Sequence, residues 1–455
     1  MAQSTQEGPY VALPLSEVDP DALKVVRKLL ANGHEAYLVG GCVRDLYLRR
    51  RPKDFDVATS ATPESIRKTF RNSRIIGRRF KLAHVYFGTK VIETSTFRTT
   101  PITTNDDDLL ITHDNEWGNI EDDARRRDFT INGLFYDIES DTIVDLVAGI
   151  PDLDRGVIRT IGDPLTRFQE DPVRMIRAVK FAARLDFTIE EETWRALLAT
   201  VGDIDKCSRA RLLEEVYKLL RGGAARRSFE LLLESGLFPH VLPSFVELFD
   251  SRSGLGLVRP QRIPDEHEDL PRGYQPSRLL WALLDALDEY TLETRQIASN
   301  GVLLAILLAP IIDEDWLSAP RRDLDKTIDA TMDALCNPLG VARRDRELAR
   351  QILMAHRRMV ETPGARRKRR PSLVQRQYFH DALVFLGIAV QARGEGGSEF
   401  AHWQRLAASA TPMVEREGAG DDDDDGKRRR RRRGNRSRRG RQAGGDRAAR
   451  SAGQR

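Results

Sequence analysis

The chain has 455 residues, of which 40% are hydrophobic and 31% are charged, and a formal net charge of +4; this composition is typical of a soluble globular protein with several domains. Its longest apolar run, 302–312, contains Pro310 and is too short to span a bilayer, and the N-terminus lacks a basic segment followed by an apolar one. The three cysteines are far apart in the sequence, which excludes a zinc-finger spacing or a disulfide framework. We therefore expect a cytoplasmic protein without membrane contact.

The first predicted elements are those of an α/β unit. Residues 1–20 are expected to be a mobile lead-in. Apolar residues at helical spacing predict a helix over 21–32, and the apolar run 36–39 predicts the first strand. Thr62 followed by Pro63 is an N-cap with proline at the first helical position, so a helix should begin there. Runs rich in β-branched and aromatic residues predict further strands at 73–76, 83–87, 91–97 and 142–146.

The segment Leu38–Thr59, LVGGCVRDLYLRRRPKDFDVAT, combines a glycine pair with two nearby carboxylates. Residues two apart on a strand point to the same face, so Asp54 and Asp56 should direct their carboxylates to one spot. Paired carboxylates are suitable ligands for Mg²⁺, which prefers oxygen. Glycine allows backbone N–H groups to approach phosphate closely. The segment therefore predicts a site for a nucleoside triphosphate on a metal ion.

The spacing of GG-x-x-RD followed by KDFD resembles the class II tRNA nucleotidyltransferase/poly(A) polymerase family, whose members add nucleotides to RNA 3′ ends. The resemblance implies Mg²⁺ at Asp54 and Asp56 and nucleotide contacts from the glycine pair and the motif that follows it. These contacts are assigned to Gly40, Gly41, Arg44 and Asp45. The loop departs from the family at Arg49, where glycine is usual.

Two further segments concern the head of such an enzyme. GRRFKLAHV at 77–85 resembles the segment that distinguishes bacterial poly(A) polymerases from CCA-adding enzymes. Glu93 is either a third active-site carboxylate or an exposed strand residue, and the polar stretch 99–118 is expected to be a mobile loop at the edge of the site.

The motif RRDFTIN at 126–132 is the second family motif in the chain. The resemblance implies that it contacts the ribose and the triphosphate, with Asp128 as a catalytic-site residue and Arg127 and Asn132 as nucleotide ligands. The chemistry fits, because a carboxylate accepts hydrogen bonds from sugar hydroxyls and guanidinium groups grip phosphate.

The chain becomes helical after a predicted turn at 149–153. A long helix is expected from about residue 170 to 185, and Asp171 and Arg174, three apart, should share one of its faces. This pair resembles the family's base-reading element, and Arg177 continues the basic face. A carboxylate and a guanidinium can pair with either adenine or cytosine, so this pair does not distinguish ATP from CTP as the substrate. Thr188 with Glu191 predicts a capping box, and 208–215 is interpreted as a supporting helix.

Residues 226–410 show periodic helical segments interrupted by a polar loop at 253–274, with a basic run at 366–370 near aromatic residues that predicts RNA contact. The tail 411–455 is predicted to be disordered. Its part 427–455 holds 14 Lys or Arg and one Asp, a net charge of +13, which leaves −9 for residues 1–426 of the total of +4. Such a tail binds RNA through phosphate neutralisation.

The expected organisation is an α/β nucleotidyltransferase head with a small mixed sheet (21–155), an all-α neck (156–225) and body (226–410), and the disordered basic tail. The resemblance implies a polynucleotide adenylyltransferase that uses ATP and Mg²⁺ on RNA 3′ ends, with RNA-decay proteins as partners. The alternatives are a tRNA CCA-adding enzyme and a non-catalytic RNA-binding scaffold.

Overall fold

The computed structural model describes residues 13–77, 81–99, 116–246, 278–316, 321–360 and 371–409. Several predicted features lie outside these ranges: the two arginines of GRRFKLAHV, most of the loop 99–118, the loop 253–274, the basic run 366–370 and the tail 411–455. No helix in the described part of the chain is long and apolar enough to cross a membrane.

The head is built on a seven-stranded sheet with the order β3-β4-β5-β2-β1-β6-β7. Only β2 and β5 pair in parallel and the other neighbours are antiparallel, so the sheet is mixed and the predicted fold class is confirmed. The strands are β1 (Ala36–Val39), β2 (Asp56–Thr59), β3 (Ser73–Ile76), β4 (Leu82–Phe87), β5 (Lys90–Thr96), β6 (Leu134–Asp137) and β7 (Thr142–Asp145).

The two faces of this sheet have different surroundings. One face packs against α1 (Pro20–Ala31), α2 (Gly41–Tyr47) and α3 (Pro63–Thr69). On the other face a small cluster of Val39, Ala58 and Phe135 lies under Ala124 of α4 (Ile120–Arg126). Side chains alternate along a strand, so Asp56 lies on the second face with Ala58.

The neck and body are almost entirely helical, and most of their buried residues join those of the head in one core, while a smaller cluster around Trp403 lies in the body. The neck contains α5 (Gly149–Arg155), α6 (Pro164–Glu170), α7 (Val173–Leu185), α8 (Glu191–Thr200) and α9 (Arg209–Leu220), with a short parallel pair of β8 (Val157–Ile158) and β9 (Thr188–Ile189). Helices Ala225–Glu234, Phe238–Val241, Arg278–Thr294, Asn300–Trp316, Arg321–Leu339, Arg343–Val360, Pro371–Val374, Phe379–Arg393 and Gly397–Ser409 follow.

The structure corrects two predictions at the edges of the head. Leu13 and Val18, assigned to a mobile lead-in, are buried in the core, because the 3-10 turn Leu15–Glu17 holds this segment against the head. Residues 149–153 form the start of α5 and not a turn, since Asp145 accepts hydrogen bonds from the N–H groups of Gly149 and Ile150 and so stabilises the first turn of a helix.

A third correction concerns the start of α8. The predicted capping box of Thr188 and Glu191 does not form, because Thr188 belongs to β9. The N-cap is Glu190, whose side chain accepts a hydrogen bond from the N–H of Thr193 at 2.8 Å. Pairing of β9 with β8 thus moves the helix start by two residues.

Gly149 fixes the contact between α5 and the turn Thr130–Asn132, which carries part of the RRDFTIN motif. A Cβ at Gly149 would lie 2.3 Å from the carbonyl oxygen of Thr130, a backbone atom that has no rotamer by which to move away. We expect Gly149→Ala to lower the free energy of unfolding by about 1–3 kcal/mol, as overpacking does. Urea denaturation followed by circular dichroism measures this.

Gly202→Ala is the matched control, because a Cβ there would meet nothing within 4 Å. Equal urea midpoints for the two variants would show that the close approach at Gly149 does not constrain the fold.

Candidate active site

The first element of the site is the tight junction of β1 and α2. Gly40 has φ +77°, a conformation that residues with a side chain rarely adopt. Its N–H donates to the carbonyl oxygen of Leu134 at 2.9 Å. A Cβ at Gly40 would lie 3.3 Å from Nη1 of Arg127. The glycine therefore permits an arginine from the RRDFTIN motif to lie against the backbone at this junction.

Asp56 lies beside this arginine at the start of β2. Burial, with added repulsion from Glu93 and Asp54, raises the pKa of Asp56 to about 6, and the charge of Arg127 opposes the increase. Glu93 is the register partner of Asp56 on β5, so the two side chains share one face. Asp54 has the smallest of these effects on Asp56, and the convergence of the two carboxylates on one metal ion stays a prediction.

Asp54 differs from the prediction in one respect. Strand β2 begins at Asp56, so Asp54 precedes the strand, and its side chain is 76% exposed. The shared-face argument therefore does not apply to Asp54, whose exposed carboxylate lies 4.0 Å from Nζ of Lys53.

The carboxylates at this position fit a magnesium ion. Within the described ranges, no set of three His, Cys, Asp or Glu side chains is arranged to bind a metal ion. Mg²⁺ in nucleotide enzymes needs only one or two protein carboxylates, because phosphate oxygens and water complete its shell. The mutual repulsion that raises the pKa of Asp56 is the kind that a cation relieves, so Asp54 and Asp56 are suitable ligands.

Arg127 is held in place by contacts with Asp123 and Phe135. Its guanidinium donates two hydrogen bonds to Asp123, at 2.7 and 3.2 Å, and lies 5.1 Å from the ring centroid of Phe135. These contacts fix a positive charge close to Gly40 and to Asp56, and a contact of Arg127 with phosphate stays a prediction.

Asp128 is the centre of a buried polar network between head and neck. Its carboxylate is 8% exposed and accepts hydrogen bonds from the N–H of Phe129 at 2.8 Å and from Nδ2 of Asn132 at 3.1 Å. Nη2 of Arg177, on α7, lies 2.5 Å from its Oδ2. Burial opposes ionisation, but Arg177 and these hydrogen bonds outweigh it and hold the pKa of Asp128 at about 2.

The network continues from Asn132 into α2. Nη1 of Arg44 donates to Oδ1 of Asn132 at 2.6 Å, and Nε and Nη2 donate to Oδ1 of Asp45 at 2.8 and 2.6 Å. Arg44 and Asp45 are 3% and 4% exposed, and Arg184 on α7 lies 3.5 Å from Asp45. Both residues thus join α2 to the motif and to the neck, and a direct contact of either with nucleotide stays a prediction.

The predicted base-reading pair is arranged differently from the expectation. Helix α6 ends at Glu170 and α7 begins at Val173, so Asp171 lies in an extended break and does not share a helix face with Arg174. The break arises because Asp171 is followed by Pro172, and a residue before proline disfavours helical backbone.

The two side chains of this pair have separate partners. Oδ2 of Asp171 accepts from Nη2 of Arg211 at 3.0 Å, whereas Nη1 of Arg174 donates to Glu170 at 2.9 Å and to the carbonyl oxygen of Arg167 at 2.8 Å. Oδ1 of Asp171 is buried and accepts no hydrogen bond from any described residue. This oxygen is therefore a buried acceptor with unused hydrogen-bonding capacity. The contact from Arg211 agrees with the interpretation of 208–215 as a supporting helix.

Sequence reasoning missed Arg167. It is 6% exposed, and its Nη2 donates to the carbonyl oxygens of Arg126 and Arg127 at 2.6 and 2.5 Å, while Nη1 lies 2.6 Å from Glu170. Burial lowers the pKa of Arg167 to about 10. The i, i+3 spacing of Arg167 and Glu170 was the available signal in the sequence. The contact of Arg167 with the carbonyl groups at the end of α4 could not be predicted from that spacing, because it joins residues about 40 positions apart.

Three family models match the chain: "Poly A polymerase head domain" over 36–159, "Probable RNA and SrmB- binding site of polymerase A" over 186–248 and "Polymerase A arginine-rich C-terminus" over 318–439. Poly(A) polymerase I of Salmonella typhi is 35% identical over 88% of this chain and 85% of its own length. That of Escherichia coli O6:H1 is 36% identical over the same shares.

Relatives of a second kind also match. A CCA-adding enzyme of Lactobacillus delbrueckii subsp. bulgaricus is 39% identical, but over 49% of this chain and 56% of its own length. The solved structure of the Bacillus stearothermophilus CCA-adding enzyme in complex with CTP is similar with a TM-score of 0.59 and 25% identity, covering 86% of this chain and 83% of that one.

The Asp128 network predicts a pH-dependent contribution to stability. Because the folded-state pKa of about 2 lies below the ordinary value of 3.8, ionised Asp128 stabilises the fold above about pH 4, and this contribution is lost as the pH falls toward 2. At pH 7 we expect Asp128→Asn to cost about 1–3 kcal/mol, since Arg177 loses its partner but remains partly exposed. The cost should shrink as the pH falls below 4, measured by thermal midpoints across pH 3–7.

Glu121→Gln is the control, because it removes an exposed ion pair to Arg125 at 3.3 Å that is worth little. A difference between Asp128→Asn and the parent that is equally large at pH 3 and pH 7 would contradict the assignment of the low pKa to Asp128.

Proposed function

The chain belongs to the bacterial poly(A) polymerase I family of RNA nucleotidyltransferases, and on that premise we propose that its head and neck form an active site that transfers AMP from ATP to RNA 3′ ends. One observation carries the proposal. Gly40, Asp56 and Arg127 come from three separate segments and lie together beside a buried network that reaches the neck.

In the proposed reaction the oxygen of the RNA 3′-hydroxyl bonds to the α-phosphorus of ATP. The bond from that phosphorus to the bridging oxygen breaks, pyrophosphate leaves, and the hydroxyl proton is released. Asp54 and Asp56 would hold two Mg²⁺ ions, which when bound supply positive charge to the attacking and leaving oxygens. The chain's own contribution is to hold the reacting groups in line and to fix charge around them.

The nucleotide contacts follow from the same geometry. Arg127 and the backbone at Gly40 and Gly41 would contact the triphosphate, and Asp128 with Asn132 would lie at the ribose. Asp171 would accept from the exocyclic amine of the base through its buried Oδ1, with Arg174 and Arg177 completing the pocket. The role of Glu93 as a third carboxylate at the 3′-hydroxyl stays a prediction.

The CCA-adding alternative would use the same head. In sequence, the CCA-adding relative matches 49% of this chain, whereas poly(A) polymerase I of Salmonella typhi matches 88%. We place the activity in the cytoplasm, where ATP and RNA 3′ ends are both present, and RNA-decay proteins are proposed partners. A non-catalytic scaffold would not need Asp56 and Arg127 to converge.

Replacement of either predicted metal ligand tests the chemistry. We expect Asp54→Asn and Asp56→Asn to reduce AMP addition to background, since each loses a carboxylate charge for Mg²⁺, with little change in RNA affinity. Primer extension with ATP and Mg²⁺ and filter binding of the same RNA are the measurements. Glu64→Gln, an exposed carboxylate on α3, is the control. Activity near that of the parent in either Asp variant would remove that residue from the mechanism.

The choice of nucleotide separates the candidate functions. Given ATP alone and an unstructured RNA, the protein should add a long A tail of varied length, and CTP should be a poor substrate. Gel analysis of reactions with each nucleotide separately shows this. If the protein instead adds CCA to a truncated tRNA and does not extend the unstructured primer, it is a CCA-adding enzyme. If no nucleotide is incorporated, the non-catalytic RNA-binding scaffold is the candidate function that remains.

A further inference from the structure

A row of side chains runs from the candidate metal site to the edge of the sheet. Asp56 on β2 is paired in register with Glu93 on β5, Glu93 with His84 on β4, and His84 with Arg74 on β3. Residues paired across neighbouring strands point to the same face of a sheet. The row therefore continues from the carboxylates on the active-site face as far as the outermost strand.

Side-chain contacts make this row continuous. Nε2 of His84 lies 3.7 Å from Oε1 of Glu93, and the His84 ring meets the ring of Tyr86 edge-on at 6.3 Å. The guanidinium carbon of Arg74 lies 6.0 Å from the centroid of the Tyr86 ring. A cation and an aromatic ring thus lie side by side at the end of the row.

The same three strands have a closed face and an open one. Ala83, Val85 and Ile92 point to the other side and are buried in the core, at 0–2% exposure. Arg74 and Val91, on the face of the row, are exposed. The open face therefore presents an aromatic ring, a cation and apolar surface on the same side of the sheet as Asp56.

We propose that Arg74, His84 and Tyr86 form a binding track for the last nucleotides of the RNA primer, an inference that rests on the proposed function. An aromatic ring stacks on any base and a guanidinium binds any phosphate, so the track would accept RNA without regard to sequence. Strand β4 lies two strand spacings, about 10 Å, from β2. Tyr86 would thus stack on a base close to the reacting 3′ end.

The position of the track and the charge of its side chains indicate that the RNA primer binds there. The row begins at the carboxylates that the RNA 3′-hydroxyl must approach, so the chain of nucleotides behind that hydroxyl has to leave along a neighbouring surface. On the track the cation of Arg74 stands at the outer end, on β3, two strands away from Glu93, where it can pair with a phosphate of the RNA backbone. The incoming ATP is held on the other side, by Arg127 and the neck.

Kinetics of three variants test the track in the full-length protein. Tyr86→Ala and Arg74→Ala should raise the KM for a single-stranded oligoadenylate primer, by at least about 5-fold for Tyr86→Ala, as loss of one base stack does. The KM for ATP should stay unchanged, and Tyr86→Phe, which keeps the ring, should restore the parent value. Arg71→Ala, an exposed arginine in the turn before β3, is the matched control.

A cross-link on the parent protein makes the test independent of variant folding. A primer ending in 4-thiouridine is irradiated on the protein, and the modified peptide is identified by mass spectrometry. Attachment within β4 or at Arg74 is expected. Attachment only outside β3–β5, or a primer KM for Tyr86→Ala equal to that of Arg71→Ala, would overturn the track.

Failure of the track and failure of the proposed function give different results. If the parent incorporates no AMP, the proposed function fails, and the cross-link still reports where RNA lies. If the parent incorporates AMP and neither the KM nor the cross-link involves these residues, the track alone is wrong.

Discussion

The active site depends on one buried carboxylate, that of Asp128. It accepts from Asn132 and the backbone on the head side and lies 2.5 Å from Arg177 on the neck side. Arg44 extends the contact into α2 through Asn132. Taking these charges out of water is costly unless each is matched, so only one arrangement of α2, the motif turn and α7 satisfies them together. The position of the neck relative to the sheet follows from that match.

A second junction links the phosphate side of the site to the base side. Arg167 donates to the carbonyl oxygens of Arg126 and Arg127 and pairs with Glu170, which in turn receives Arg174. The carbonyl of Arg127 and its guanidinium belong to one residue, so a shift of α6 would move the charge beside Asp56. The proposed base contact at Asp171 and the proposed triphosphate contact at Arg127 would thereby be joined through a few buried hydrogen bonds.

The sequence pattern predicted those strands and helices that are determined by residues close together in the chain. The strand at 36–39, the strands at 73–76 and 83–87 and the helical neck follow from periodicity and composition and are confirmed. The burial of Arg44 could not be predicted, because its partner Asn132 is 88 residues away. The break at Asp171 was readable from Pro172, but helical spacing on both sides concealed it.

The proposed nucleotide side and the proposed primer side of the site differ in the solvent exposure of their side chains. On the nucleotide side, Asp128 and Arg167 are almost inaccessible, so the pocket has little freedom to accept a different shape. On the proposed primer side, the face of β3–β5 presents exposed side chains, which would suit the binding of many different RNA ends. An enzyme that measures one tRNA end needs contacts that change as each nucleotide is added. The proposed arrangement, a fixed nucleotide pocket beside an open primer surface, is suited to repeated addition of a single nucleotide, and the expected product is a homopolymer.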